Sequence, residues 1–181
     1  MTVRLQPSRG GGRNVSKSNV HFTKDNEYYT PKEFVAMFGE FDYDPATTAE
    51  KAAEFGIANF DTIETDGLTQ DWSGYERIWI NPPFSRKHEF LAKAWKTYLE
   101  ARNEIYMLFP IEFLTTARFH NLCGGGEIFI PNGRIKYESG LGKKGSSPAF
   151  GSVVMKLSDS WQLVPIEISG MIKPTEQEVK G

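Results

Sequence analysis

Cysteine is nearly absent: Cys123 is the only one in 181 residues. An internal disulfide is therefore impossible, and a reducing compartment fits. The three histidines, His21, His88 and His120, are scattered and show no metal-ligand spacing, so no metal is expected. No apolar run is long enough to span a bilayer, so no membrane partner is expected. The N-terminus has charge but no apolar core of a secretory signal, and a cytoplasmic location is the expectation. A G-x-G-x-x-G fingerprint is missing as well, which removes the usual signature of a dinucleotide site. The formal net charge of −2 argues against a molecule that binds polyanions over its whole surface.

Acidic residues are also missing from the first 24 positions, where Arg4, Arg9, Arg13, Lys17 and Lys24 are all basic. That segment is rich in Gly, Ser and Asn, and it is expected to be a flexible basic arm. Residues 172–181 read as a polar tail. The 25–171 stretch between them suits one domain with a real core. A second basic cluster holds Arg134, Lys136, Lys143 and Lys144, offset by Glu138. Local basic patches on a mildly acidic body suit contacts to a phosphate backbone, although from charge alone solvated surface is the simpler reading.

Within the domain, strand and helix patterns alternate. Thr30-Pro31 is expected as N-cap and first residue of a helix with Phe34, Val35 and Phe38 as its stripe and Gly39 as its stop. Phe41 to Asp44 reads as a short strand, and Ala46 to Phe55 as a helix. Arg77 to Ile80 is a buried strand, and Ser85 is expected to cap a helix carrying Phe90, Leu91, Ala94, Trp95 and Tyr98. Ile105 to Phe109 is another buried strand, followed by a helix from Leu114 to Leu122. Strand-like segments close the chain at 127–130, 134–137, 150–157 and 163–168. Such alternation argues for an α/β fold with a mostly parallel, Rossmann-like sheet and a hairpin at one edge. Ligands bind such sheets at the carboxyl ends of strands, where both Asp44 and Asn81 fall.

Asn81-Pro82-Pro83-Phe84 carries the most chemistry. An exocyclic aromatic amine is a poor nucleophile, because its lone pair is delocalised into the ring. A site that methylates it should accept hydrogen bonds from both N–H groups, turning the lone pair toward the incoming methyl. The Asn81 side-chain carbonyl and the Pro82 backbone carbonyl suit those two roles. Pro82 and Pro83 stiffen the loop, so the acceptors are preorganised. Phe84 offers a face for an extruded base. An ordinary Asn-Pro-Pro turn is the simpler alternative, but a buried strand before it and a helix after it favour the chemical one.

Other segments each carry two readings. Asp44, in Asp42-Tyr43-Asp44-Pro45-Ala46, suits a cationic or hydroxyl-bearing part of a cofactor, or caps the following helix. Asp66 of Asp66-Gly67-Leu68 suits an adenine amino group with Leu68 on the ring, or sits in a surface turn. Trp72 is read as packing. Tyr29-Thr30-Pro31 opens a helix whose N–H groups suit a carboxylate, or is a plain helix start. Arg134 and Lys136 suit phosphate or base edges, or belong to an exposed hairpin.

Taken together, Tyr29-Thr30-Pro31, Asp42-Tyr43-Asp44-Pro45-Ala46, Asp66-Gly67-Leu68 with Asp71-Trp72, Asn81-Pro82-Pro83-Phe84, Gly133-Arg134-Ile135-Lys136-Tyr137 and Ser147-Pro148-Ala149-Phe150 resemble the phage-type DNA N-6-adenine methyltransferase family. The resemblance covers roughly residues 27–157. It implies a class I methyltransferase fold, S-adenosylmethionine as cofactor and adenine N6 in double-stranded DNA as acceptor. On it, Asn81, Pro82, Pro83 and Phe84 are the catalytic residues. Tyr29, Thr30, Pro31, Asp44, Ala46, Asp66 and Leu68 bind cofactor, and Arg134, Lys136, Lys143 and Lys144 bind DNA. Two features depart from the pattern. Thr47-Thr48-Ala49-Glu50 replaces a glycine-rich turn, and Ile111-Glu112 stands where an arginine-containing segment is common. The interval from Asp44 to Asn81 leaves little room for a ribose-binding acid, for which Asp61 and Glu64 are the candidates. Rival expectations are methylation of cytosine N4 or a protein amide, and an inactive DNA-binding homologue.

Overall fold

A computed structural model describes residues 28–139 and 150–168. The arm at 1–24, the tail at 172–181 and both Lys143 and Lys144 lie outside them. Fifteen short elements follow in order. They begin with β1 (Tyr28–Tyr29), α1 (Lys32–Ala36), β2 (Tyr43–Asp44), α2 (Ala49–Phe55), β3 (Asn59–Phe60) and a 3-10 turn (Gly67–Thr69). β4 (Arg77–Ile80), α3 (Lys87–Ala101), β5 (Glu104–Pro110), a 3-10 turn (Ile111–Thr115) and α4 (Ala117–Leu122) come next. β6 (Gly126–Pro131), β7 (Glu138–Ser139), β8 (Ser152–Leu157) and β9 (Trp161–Ile166) complete the order.

Seven strands form one sheet in the order β3-β2-β4-β5-β8-β6-β9, and β1 pairs with β7 in a separate ribbon. β3, β2, β4 and β5 are mutually parallel. β8 is antiparallel to both its neighbours, β5 and β6, while β9 is parallel to β6. The expected edge hairpin is thus split: β8 and β9 run in opposite directions with β6 between them. The sheet is thus mostly parallel and Rossmann-like, with β8 the one reversed strand among the described seven. The chain leaves β2 toward β3 on one side and returns as β4 on the other. That reversal places a switch point between β2 and β4, where open sheets of this kind form a crevice.

The pleat sends alternate side chains to opposite faces. Ile78, Ile80, Ile105, Met107, Val153 and Met155 join Phe90, Leu91 and Ala94 of α3 and Phe119 of α4 on one face. Trp79, Tyr106, Leu108 and Val154 meet Phe34, Val35, Phe41 and Ile135 on the other. Burial on both faces explains why β4 and β5 read as continuous apolar runs.

Several boundaries differ from the sequence expectation, each for a local reason. Pro31, in extended conformation, is the N-cap residue of α1 and makes no side-chain cap. α2 starts three residues later than expected, because the Thr48 hydroxyl caps it by accepting from Lys51 N at 3.3 Å. Asp44 instead accepts from Ala46 N at 2.9 Å, a local turn before the helix. Ser85 does not cap α3, whose N-cap residue is Arg86 with no side-chain bond. Thr116, extended and capping Phe119 N at 3.2 Å, breaks the expected 114–122 helix in two. Residues 134–137 are not a strand. Ile135 and Tyr137 are buried and Arg134 and Lys136 exposed, an alternation set by packing rather than by a ladder.

Candidate active site

Three loops gather around the switch point, two bearing a carboxyl and one a side-chain amide. Asp44 ends β2, Asp61 follows β3, and Asn81 follows β4. Asp61 N donates to Asp44 O at 2.9 Å and Thr47 N to Asp61 O at 3.1 Å, so the first two loops are stitched together. Asp61 also accepts from the Tyr43 hydroxyl, and Tyr43 stacks on Tyr75 with centroids 4.1 Å apart. A cleft of about 310 Å³ opens beside Asp61, lined by Tyr43, Asn59, Phe60, Gln70 and Tyr75 among others. It adjoins the Asp61 side of the crevice rather than Asn81. Of the two acids that the sequence left open, Asp61 therefore stands at a strand end, while Glu64 is exposed beyond it.

Asp44 is 1 % exposed, and burial pushes its carboxyl up to about 7, against the pull of its bonds from Ala46 N and Thr47. Asp66-Gly67-Leu68 closes over the same loop. A Cβ on Gly67 would lie 2.1 Å from Pro45 O, so only glycine permits this approach of two backbones. Asp66 holds a left-handed conformation at φ 47° and caps the 3-10 turn through Leu68 N. Trp72 is 1 % exposed and donates Nε1 to Gly67 O at 2.8 Å. The packing role expected for Trp72 is what it has, and that role fixes the loop.

The corner after β4 is held from several sides. Asn81 Nδ2 donates to Thr30 Oγ1 at 3.1 Å. Thr30 is 2 % exposed, so its hydroxyl serves the corner rather than the helix start. The Pro83 carbonyl accepts from Arg86 N at 2.9 Å and the Phe84 carbonyl from Lys87 Nζ at 2.8 Å. Pro82 therefore holds the one carbonyl of the Pro82–Phe84 run for which the described residues give no partner. Phe84 meets Phe150 edge-on at 5.2 Å. Arg86 reaches back to Asp66 at 3.2 Å, tying the corner to the Asp66 loop.

Electrostatics separate the two sides of the site. Asp44, Asp61 and Asp66 make one side acidic. Lys87 lies over the Phe113 ring at 5.2 Å, and both its burial and the neighbouring Arg118 hold its pKa below the ordinary lysine range. These cations stand near the loop where an arginine was expected to be missing. The motif reading overlooked them because neither lies in a recognisable run. Arg134 and Lys136 are exposed on the segment leading into the β1–β7 ribbon. Among the described residues, no cluster of His, Cys, Asp and Glu is placed to hold a metal.

The family model described as DNA N-6-adenine-methyltransferase (Dam) matches residues 17–179. The chain belongs to this family. A DNA N-6-adenine-methyltransferase of Escherichia phage T1 is 32 % identical over 105 residues. That match covers 56 % of this chain and 42 % of the phage protein, so the Dam-family chain spans under half of that relative. A predicted O-methyltransferase, protein Atu636 from Agrobacterium tumefaciens, aligns over 73 % of the chain and 72 % of its own at 12 % identity, with a TM-score of 0.36. That likeness is too loose to bear on function. As a member of a methyltransferase family, the Dam-family chain is expected to use a methyl donor.

Proposed function

We propose that this chain is a site-specific DNA methyltransferase that uses S-adenosylmethionine to methylate the N6 amino group of adenine in double-stranded DNA. One observation carries the reading. The Asn81–Phe84 corner stands at the switch point, one strand away from the acidic loops, with its side-chain amide held by a buried hydroxyl.

The residues suit the proposed donor. A sulfonium, an ammonium, ribose hydroxyls and an adenine amine all call for acceptors, and Asp44, Asp61 and Asp66 supply carboxylates at one place. Asp44 and Ala46, with Asp66 and Leu68 packed over them through Gly67, would hold it, and Asp61 would take the ribose. Tyr29 and Pro31, which flank Thr30, would shape the donor side. When bound, S-adenosylmethionine supplies an electrophilic methyl group. Asn81 Oδ1 and the Pro82 carbonyl accept from the two N–H groups of the base amine, which frees its lone pair. Pro83 keeps the loop rigid and Phe84 stacks on the extruded purine. Lys87, Arg118, Arg134 and Lys136 would contact phosphates, which position DNA without reading it. Lys143 and Lys144 join them as DNA contacts in this reading. The chain's contribution is positioning and electrostatic preorganisation, with no protein nucleophile.

The test is Asn81→Ala, assayed with tritiated donor on duplex DNA and by mass spectrometry of released nucleosides. N6-methyladenine from the parent and at least a hundredfold loss in the variant are expected, with donor affinity within about threefold, on the scale of a lost preorganised acceptor. Normal turnover by the variant, or N4-methylcytosine as the product, would overturn the reading.

A further inference from the structure

We propose that Thr30 is a positioning residue for methyl transfer: by accepting from Nδ2, its hydroxyl anchors the Asn81 side-chain amide in the pose that presents its oxygen to the base. The inference deepens the reading above and rests on it. It also moves Thr30 from the donor side of the site, where the sequence motif put it, to the acceptor side.

The geometry supplies a rigid acceptor. Thr30 precedes Pro31, and a residue before proline is confined to extended backbone. Its side chain is β-branched, so χ1 has few options. At 2 % exposure it cannot swing into solvent. The flanking segments are fastened independently. Tyr28 and Tyr29 pair with Ser139 and Glu138 in the ribbon. The Tyr29 ring lies beneath Lys51 Nζ at 5.5 Å. On the other flank, Phe34 is fully buried and α1 hangs from the Pro31 carbonyl, which accepts from Phe34 N and Val35 N at 3.1 and 3.2 Å. β7 is anchored in turn, because the hydroxyl of Tyr137, the residue before it, donates to Ser152 Oγ at 2.8 Å at the start of β8.

Chemistry gives this bond a purpose beyond stability. An amide side chain can present either its oxygen or its NH2 group after a half-turn, and the two ends are similar in size. Only the oxygen can accept from an amine, and the reversed group would set N–H against N–H. A hydroxyl could also donate to a reversed amide, but here Thr30 Oγ1 accepts from Nδ2 at 3.1 Å, and that bond holds the productive orientation. It also polarises the amide, making its oxygen a better acceptor. A hydroxyl 51 positions away in sequence thus governs a group in the Asn81 motif.

The experiment compares Thr30→Val, which keeps shape and loses the hydroxyl, with Thr30→Ser, which keeps the hydroxyl. Asn81→Ala runs alongside, and circular dichroism checks folding. For Thr30→Val we expect kcat to fall about tenfold, the worth of one such bond, with donor Kd and DNA KM within about twofold. Thr30→Ser should stay within about threefold of the parent. A Thr30→Val enzyme with parental kcat, beside an inactive Asn81→Ala, overturns this inference alone. So does a tenfold rise in donor Kd with kcat unchanged, which would make Thr30 a donor contact. An active Asn81→Ala instead overturns the reading of the corner itself. If Thr30→Val does not fold, Thr30→Ala carries the same comparison, with the same outcomes.

Discussion

Asp44 offers the sharpest quantitative test. Its carboxyl is pushed up to about 7 from an ordinary 3.8 because it is buried at the end of β2. The folded protein therefore binds this proton more tightly than the unfolded chain does. The stabilisation that comes from holding it is complete below about pH 4, and it drains away as pH rises toward about 7. About three units correspond to at most ~4 kcal/mol across that window. Asp44→Asn removes the titration while keeping an oxygen for the Ala46 N–H. Urea unfolding of both proteins, read as the difference between them, cancels carboxylates of opposite sign such as Glu104, which Lys156 holds low. The variant should gain on the parent steadily between about pH 4 and pH 7 and be more stable by roughly 1–4 kcal/mol at about pH 8. Donor binding should move the other way. A cationic ligand needs the ionised carboxylate, so parental affinity should rise through about pH 7 while the variant binds weakly and without that rise. A stability difference that does not change with pH, or a variant weaker than the parent at about pH 8, would refute the account of Asp44.

Two further outcomes are expected. Gly67→Ala places a methyl group 2.1 Å from Pro45 O, so the Asp66 loop must part from the Asp44 loop. Calorimetry should show donor affinity falling at least tenfold, with the melting temperature lowered. Arg118→Gln should reduce the slope of log affinity against log salt for duplex DNA by about 0.9, as one lost phosphate contact does. Arg118→Lys should keep the slope, and an unchanged slope in Arg118→Gln would remove that residue from the interface.

Much of the molecule was legible in the order of its residues, because the signals there are local. The period of apolar residues in α3, the continuous apolar runs of β4 and β5, and the Asn81-Pro82-Pro83-Phe84 turn need nothing from distant chain segments to be recognised. The strand-end placement of Asp44 and Asn81 follows from those elements alone. What only the tertiary structure decided is pairing across long intervals. Pro45 against Gly67, Asn81 against Thr30, Arg86 against Asp66 and Phe84 against Phe150 are contacts between motifs, and no spacing within one motif encodes them. The same holds where local propensity was overruled. Thr30 looked like a cap, yet its hydroxyl found an amide instead, and residues 134–137 alternate like a strand only because Ile135 and Tyr137 fill a core built by α1 and the sheet. Sequence determines which side chains can do chemistry; which of them meet depends on how the buried faces of the sheet bring the loops together.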